Sequence, residues 1–277
     1  MSSAAERARD ARTWLFVPGD TPDRFAKAEA ASPDVMVIDL EDAVAEPRKH
    51  DARSAAAEWL DAGHPAAVRV NPPDTEWHAD DISMVRRREC IVMVPKSEDA
   101  ASIEQLTTLL APGSCVVALI ETAKGVSRAE SLAMASGVER LAFGSFDLAA
   151  QLGVAASDAT AMAYPRTALV LASAVAGLAP PVDGVCGQLA DDAPLREETA
   201  LAARLGFAGK LCIHPRQVPI VTESLSPAQH ELRWARAVVD AERHDGVAVL
   251  DGQMVDKPVV ERARRILRLS RTEQEAP

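Results

Sequence analysis

The stretch Cys115–Thr122 reads CVVALIET and carries the pattern on which the fold prediction depends. Six apolar or small residues run directly into a carboxylate, Glu121, and the segment 122–125 then turns the chain. A continuous apolar run of this length is typical of a parallel strand covered on both faces. A carboxylate at the exit of such a strand is costly to bury unless it is paired, hydrogen-bonded or bound to a metal. The alternative is a strand-end acid that points into solvent.

The composition narrows the class of protein. The chain has 277 residues, 48% hydrophobic and 26% charged, which is typical of a globular protein with one large or two ordinary domains. A net charge of -11 argues against nucleic acid or an anionic membrane as the main partner. There is no apolar run near the ~18 residues of a membrane span, and the N-terminus lacks the apolar region of a secretory signal. We therefore expect a cytoplasmic protein.

The four cysteines also fit this location. They show no CxxC spacing, and each lies in an apolar run. We expect reduced thiols rather than disulfides or a zinc site.

The pattern of an apolar run followed by a polar residue recurs along the chain. Eight short apolar runs alternate with alanine-rich stretches of helical character; the runs are Trp14–Val17, Val35–Leu40, Ala66–Val70, Ile91–Val94, Val116–Ile120, Leu141–Phe143, Val182–Val185 and Leu211–Ile213. Eight strands alternating with helices predict a closed (β/α)8 (TIM) barrel, with a doubly wound open sheet as the alternative. The open sheet is less favoured because no GxGxxG or GxxxxGK[ST] motif opens any helix.

The chain is predicted to divide into a barrel over residues 1–222 and a C-terminal arm over 223–277. In the arm, Ser226-Pro227 begins a helix that runs to about Arg243. Residues 247–255 then read as a hairpin around an Asp251-Gly252 turn, and a closing helix follows from Pro258 to about Leu269. A two-stranded hairpin is marginal alone, so we expect the arm to pack on a neighbouring subunit.

Polar residues stand at the ends of nearly all the predicted strands. They are Asp39, Glu41, Asp42, Arg69, Asn71, Lys96, Glu121, the segment Ser145-Phe146-Asp147, and His214. In a barrel these exits share the C-terminal face, where the active sites of this fold lie. The sequence therefore predicts a ring of charged groups of both signs around one cavity.

The residue types in this ring indicate a chemistry. Glu121 and Asp147 are hard oxygen ligands that suit Mg²⁺, or Mn²⁺ as an alternative, with open positions for water and substrate. Arg69 suits capture of a carboxylate or an enolate oxygen, or an internal ion pair with Asp39 or Glu41. We expect some of the acids to orient Arg69 or metal-bound water.

Two further members of the ring have open roles. Lys96 could hold an anion or pair with the acidic cluster. His214 could line the pocket or be a packed, hydrogen-bonded histidine.

Six motifs in order carry a resemblance to a known family. WLFVPGDTPDRFAKA, VMVIDLEDAV, VRVN, VMVPK, ALIETAKG and CIHPRQ span Trp14–Gln217. In this order they resemble the citrate lyase β-subunit family of the HpcH/HpaI aldolase superfamily. The segment GQMVD near the C-terminus extends the resemblance to malyl-CoA lyases and citrate lyase β-like proteins.

The resemblance implies a Mg²⁺-dependent lyase that acts on coenzyme A thioesters. Its metal ligands would be Glu121 and Asp147, and Arg69 would bind substrate. Lys27 would contact the phosphates of coenzyme A, and Phe16, Ile213 and His214 would line the substrate and coenzyme A site. One departure is Gly144-Ser145-Phe146-Asp147, where relatives often have Gly-Ala-Glu-Asp or Gly-Ala-Ala-Asp. The ligand aspartate is retained, but the bulky Phe146 beside it is expected to reshape the acid pocket.

The resemblance further implies that a neighbouring subunit's arm delivers Asp256 to the barrel mouth of a homo-oligomer, a trimer or hexamer. An aspartate that merely caps the last helix is the alternative for Asp256.

The expected reaction is reversible carbon–carbon cleavage of a β-hydroxyacyl-CoA with a distal carboxylate, with Asp256 as general acid. The alternatives are an acyl-CoA thioesterase on the same site, an aldolase for free 2-keto acids, and a carrier-dependent subunit that is inactive alone.

Overall fold

The structure, a computed structural model, describes residues 3–242, 248–250 and 253–271. It divides into two compact units, Met1–Ser224 and Leu225–Pro277. Among the described residues, no helix is long and apolar enough to cross a membrane.

The first unit contains a closed barrel of eight parallel strands. They are β1 (Thr13–Pro18), β2 (Val35–Asp39), β3 (Ala67–Arg69), β4 (Ile91–Val94), β5 (Cys115–Ile120), β6 (Val138–Phe143), β7 (Val182–Asp183) and β8 (Gly209–Cys212). Each strand pairs with the next, and β8 pairs with β1. This closure confirms the predicted (β/α)8 barrel and excludes the open doubly wound sheet.

Alternate side chains of the strands fill the barrel interior. Trp14, Met93, Val117, Leu119 and Leu211 belong to one buried apolar cluster. All six residues of β5 are buried, because the barrel core covers one face of the strand and the outer helices cover the other. This burial on both faces explains why the sequence of β5, CVVALI, is apolar throughout.

The helices of the first unit surround the barrel. They are α1 (Ala4–Asp10), α2 (Phe25–Ala30), α3 (Lys49–Asp61), α4 (His78–Val85), α5 (Ala100–Leu109), α6 (Ala123–Ser127), α7 (Ala129–Ala133), α8 (Ser145–Leu152), α9 (Ala163–Val175), α10 (Ala193–Leu205) and α11 (Gln217–Leu225). The predicted run Leu141–Phe143 ends where strand six ends, and the segment Ser145–Asp147 follows it, as expected, but in a helix that was not predicted. Strand β6 ends at Phe143, and these three residues form the first turn of α8.

Helix α1, which the sequence patterns did not predict, closes the N-terminal end of the barrel. Its Ala4 and Ala8 belong to the same apolar cluster as the strand interiors. Arg140 of β6 caps its end, since its Nη1 donates to the carbonyls of Ala8 (3.0 Å) and Ala11 (2.5 Å). Burial lowers the pKa of Arg140 to about 10. Small residues allow the helix to sit close to the strand ends.

The second unit is built from α12 (Gln229–Glu242), β9 (Ala248–Leu250), β10 (Gln253–Val255) and α13 (Lys257–Arg271). Strands β9 and β10 are antiparallel with Leu250 opposite Gln253. The predicted Asp251-Gly252 turn, and the predicted helix end at Arg243, lie outside the described residues. The unit has an apolar core of its own, formed by Ala235, Val238, Val255, Val260 and Ala263.

Candidate active site at the barrel mouth

The end of β2 holds the arginine at the end of β3. Asp39 and Arg69 are register partners in adjacent strands. Arg69 donates to both carboxylate oxygens of Asp39, from Nε to Oδ1 at 2.8 Å and from Nη2 to Oδ2 at 2.6 Å. Asp39 also accepts the backbone N–H of Glu41 at 2.9 Å and of Ala43 at 3.3 Å. This two-pronged pairing fixes the plane of the guanidinium.

Glu41 is a buried acid whose negative charge is only partly balanced by the groups around it. Its Oε2 lies 3.0 Å from Nη1 of Arg69, and its Oε1 lies 3.4 Å from Nζ of Lys96. Among the described residues neither oxygen has a partner aligned for a hydrogen bond. Burial raises the pKa of Glu41 to about 7, since the repulsion of Asp42 and Asp39 partly cancels the attraction of the two cations. Perturbed acids of this kind cluster at functional sites.

Glu121 and the start of α8 lie side by side. Glu121 is 2% exposed, and its Oε1 accepts the backbone N–H of Lys96 at 2.8 Å. A Cβ on Gly144 would overlap the Glu121 side chain, so this carboxylate lies against the residue that precedes α8. Asp147 is exposed in the first turn of that helix. Burial, with repulsion from Glu41 and Asp147, raises the pKa of Glu121 well above its usual range.

The charge balance of this mouth fits a divalent cation. With every group ionised, the five acids around the mouth outnumber the three cations; the acids are Asp39, Glu41, Asp42, Glu121 and Asp147, and the cations are Lys49, Arg69 and Lys96. Among the described residues no group of three or more His, Cys, Asp or Glu is placed to hold a metal. Two carboxylates with open positions suit Mg²⁺, which keeps several waters and a substrate oxygen in its shell.

A buried lysine that we did not predict supports the acidic loop after β2. Nζ of Lys49 donates to the carbonyls of Leu40 (2.7 Å) and Glu41 (2.8 Å) and to Oδ1 of Asn71 (2.7 Å). Asn71 in turn donates through Nδ2 to Asp81 at 2.7 Å. Asn71 could be predicted from the sequence as a polar residue at the end of a strand. The role of Lys49 could not be predicted, because no local pattern separates it from a surface lysine at the start of a helix.

The residues that were predicted to line the substrate pocket differ from one another in their exposure and contacts. The ring of Phe16 stacks on Arg69, with 4.9 Å from the guanidinium carbon to the ring centroid. Phe146 is 49% exposed and Ile213 is 40% exposed. The backbone N–H groups of Ile213 and His214 donate to Oε1 of Gln217, at 2.8 and 3.3 Å. Gln217, the last residue of the motif CIHPRQ, thus shapes this turn, a role that the motif alone did not indicate.

Two further predicted site residues, Lys27 and Asp256, are exposed. Lys27 is exposed on α2. Asp256 belongs to the second unit, where it is exposed and its Oδ1 accepts the backbone N–H of Val259 at 3.1 Å. The carboxylate therefore caps the first turn of α13.

A groove of about 730 Å³ adjoins the mouth through Lys96. It runs between α4 and α5, with Ile82, Ile103 and Leu106 among the apolar residues that line it. A cavity of this volume is in the range of ligand sites.

Comparison with known families now adds to this geometry. Residues 12–215 match the family model described as HpcH/HpaI aldolase/citrate lyase. The chain belongs to this family. The matched region begins just before β1 and ends after β8, so it covers the whole barrel.

Individual relatives are similar over nearly their full length. A citrate lyase subunit beta-like protein of Mycobacterium tuberculosis is 39% identical over 264 residues, which cover 92% of this chain and 94% of the relative. A (3S)-malyl-CoA thioesterase of Cereibacter sphaeroides is 35% identical over 274 residues, 95% of each chain. The solved structure of CitE from Mycobacterium tuberculosis, in complex with magnesium, acetoacetate and coenzyme A, has a TM-score of 0.82 and 37% identity, and the match covers 95% of this chain and 99% of that one.

Proposed function

We propose that this protein is a Mg²⁺-dependent carbon–carbon lyase that cleaves or forms a β-hydroxyacyl-CoA thioester with a distal carboxylate. The observation that carries the proposal is the buried carboxylate of Glu121 beside Asp147 and Arg69, in a mouth with an excess of negative charge. The similarity to CitE, whose solved structure contains magnesium, acetoacetate and coenzyme A, supports the same cofactor and substrate class for this chain.

Glu121 and Asp147 would hold the cation. A bound Mg²⁺ would supply Lewis-acid stabilisation of the oxygen that becomes a carbonyl, and would orient the carboxylate and hydroxyl of the acid half. The high pKa of Glu121 in the structure is consistent with this role, because a positive charge at this position would relieve the repulsion from Glu41 and Asp147.

Arg69 would offset negative charge on the reacting oxygens. It is suited to this task because Asp39 fixes its guanidinium and Phe16 covers one face of it. We assign Asp39 and Glu41 to the orientation of Arg69 rather than to proton transfer. A planar donor that is already oriented requires little reorganisation when charge develops.

When the carbon–carbon bond breaks, its electron pair forms the enolate of acetyl-CoA, and the hydroxyl becomes a carbonyl and loses its proton to water. The enolate carbon must then be protonated. We assign this step to Asp256 as general acid, and as general base in the condensation direction. The arm of a neighbouring subunit would deliver it in a homo-oligomer. Phe16, Phe146, Ile213 and His214 would line the acyl-CoA site, with Lys27 at the phosphates.

Co-expression of two single variants tests the shared site. Asp256→Asn removes the acid, and Arg69→Ala damages only the barrel. If arms cross between subunits, co-expressed hybrids contain some sites with both residues intact and recover part of the activity, whereas the separate variants have none. A monomeric mass by light scattering would exclude the shared site.

A thioesterase is the second candidate, favoured by the 35% identity to the (3S)-malyl-CoA thioesterase. It would use the same cation and acyl-CoA site, with water in place of enolate chemistry. An aldolase for free 2-keto acids would need no coenzyme A, and a carrier-dependent subunit would be inactive alone.

Incubation of the purified protein with Mg²⁺ and a panel of acyl-CoAs, followed by mass spectrometry, separates these functions. A lyase yields acetyl-CoA and an oxo acid, and this is the expected result. A thioesterase yields free coenzyme A and the intact hydroxy acid. Cleavage of free 4-hydroxy-2-oxo acids, without activity on any thioester, would contradict the proposal, as would complete inactivity of the isolated chain.

A further inference from the structure

Lys96 has an unusual backbone conformation for its residue type. Its φ is 47°, and among the described residues the only other non-glycine with a positive φ is Ser32, at 52°. The left-handed region is disfavoured for residues with a Cβ. Where such a residue persists, the surrounding structure holds it there, and these positions cluster at functional sites.

The left-handed turn at Lys96 directs a backbone donor at Glu121. Its N–H donates to Oε1 of Glu121 at 2.8 Å, while its Nζ lies 3.4 Å from Oε1 of Glu41. This N–H lies in the Pro95–Lys96 peptide plane, and the φ of Lys96 sets the angle between that plane and the chain that follows. With the segment after Lys96 held in place, a change to the extended region would turn this peptide plane and release the carboxylate oxygen.

The second oxygen of Glu121 faces the start of α8. A Cβ built on Gly144 would lie 2.5 Å from Oε2 of Glu121, so this oxygen lies directly against Gly144. Asp147 follows in the first turn of the helix. With Oε1 held by Lys96, Oε2 is the oxygen on the side of Asp147.

We propose that Lys96 is a positioning residue whose left-handed backbone, rather than its ammonium, holds Glu121 in the orientation from which it and Asp147 bind a divalent cation. This inference rests on the metal site of the proposed function. It assigns a role to a residue whose hydrogen bond to Glu121 comes from its main chain.

Two substitutions at Lys96 separate the backbone from the ammonium. Lys96→Gly and Lys96→Val both remove the positive charge beside Glu41, so they share any effect of that loss. Glycine enters the left-handed region freely, whereas a β-branched residue strongly disfavours it. Isothermal titration with Mg²⁺ alone measures cation affinity without any dependence on turnover.

The expected result is that Lys96→Gly binds Mg²⁺ within about threefold of the wild type, whereas Lys96→Val binds it about tenfold more weakly. Ser32→Gly and Ser32→Val are the matched controls, because they place the same two residues at the other left-handed position. The Ser32 pair is expected to differ in melting temperature as the Lys96 pair does, with no change in Mg²⁺ affinity. If Lys96→Val does not fold, Lys96→Ala replaces it, with an expected loss between the two.

Three outcomes overturn the inference. Equal losses in the glycine and valine variants would assign the effect to the ammonium, and wild-type affinity in Lys96→Val would remove any role for the backbone. If the wild type itself binds no Mg²⁺, the metal site of the proposed function fails first and this inference fails with it.

Discussion

Two clusters of buried charge in the barrel unit differ in how completely their charges are balanced. The mouth cluster consists of Asp39, Glu41, Arg69, Lys96 and Glu121 at the ends of β2 to β5. The outer cluster consists of Arg166, Asp183, Glu198 and Lys210, contributed by β7, β8, α9 and α10. The first has an excess of carboxylates, whereas the second has two charges of each sign.

The outer cluster is well satisfied. Asp183 accepts from Nε of Arg166 at 2.8 Å and from Nζ of Lys210 at 2.9 Å, and Lys210 also lies 3.3 Å from Glu198. Burial alone would raise the pKa of Asp183, but the two cations outweigh it and hold that pKa below its ordinary value. Leu211 belongs to the interior core, so the neighbouring Lys210 points out of the barrel.

In the mouth cluster the pKa values of two acids shift in the opposite direction, upwards. Burial raises the pKa values of Glu41 and Glu121, and the neighbouring cations do not outweigh it because nearby acids repel both carboxylates. Buried charge by itself is therefore no sign of function in this protein. The sign of the pKa shift separates the cluster that stabilises the barrel from the one that we assign to chemistry.

Removal of either proposed metal ligand should have the largest effect. Glu121→Ala and Asp147→Ala are expected to lower activity at least on the order of 10³-fold, because the cation supplies several kcal/mol of transition-state stabilisation. The melting temperature should hold or rise, since the substitutions relieve repulsion. Turnover assays and circular dichroism measure the two effects. Undiminished Mg²⁺-dependent turnover in both variants would end the ligand assignment.

A substitution in the outer cluster should have the opposite effect, because it should lower stability and leave activity unchanged. Asp183→Asn leaves Arg166 and Lys210 buried without their shared carboxylate, which is expected to cost about 3–5 kcal/mol of unfolding free energy. The folded fraction should keep its kcat and KM. Urea denaturation and kinetics at a temperature where the variant is folded test this. A fall in kcat without a fall in stability would show that the outer cluster takes part in the reaction.

Arg69→Lys tests whether the arginine acts through its shape as well as its charge. Lysine keeps the positive charge but loses the planar fork that Asp39 orients, so kcat/KM is expected to fall about 10²-fold, or about 3 kcal/mol. Arg166→Lys is the control, with the same change in the outer cluster and no expected kinetic effect. A lower melting temperature with unchanged kinetics at Arg69 would make it a structural ion-pair partner only.

The raised pKa of Glu41 should make the stability of the protein depend on pH. A folded-state pKa of about 7 exceeds the ~4.3 of an unfolded glutamate, so the folded state holds this proton more tightly. The resulting stability is fully present below about pH 4 and is lost as pH rises towards 7, by roughly 2–3 kcal/mol. Denaturation of wild type and Glu41→Gln in chelator across this range gives the difference. A difference that does not change with pH would contradict the raised pKa.

The eight-stranded barrel was predictable because its signals are local. Each strand is an apolar run such as CVVALI, and each run is followed by a polar residue that the parallel topology brings to one face. The pairing of β9 with β10 was equally predictable, because two short apolar runs separated by the sequence Asp-Gly predict a hairpin. Helices α1 and α8 were not predicted. The first is a short alanine-containing segment before β1, and the second begins within a polar strand exit.

The chemical identity of the candidate site was thus contained in the sequence, since carboxylates and an arginine after buried strands define it. The partners of these groups were decided only by the tertiary structure. Lys49 lies beneath the acidic loop, and a left-handed Lys96 directs its amide at Glu121. Arg166 and Lys210 neutralise Asp183 outside the barrel. Burial and pairing depend on residues distant in the chain, so residue type alone cannot reveal whether a charge is compensated.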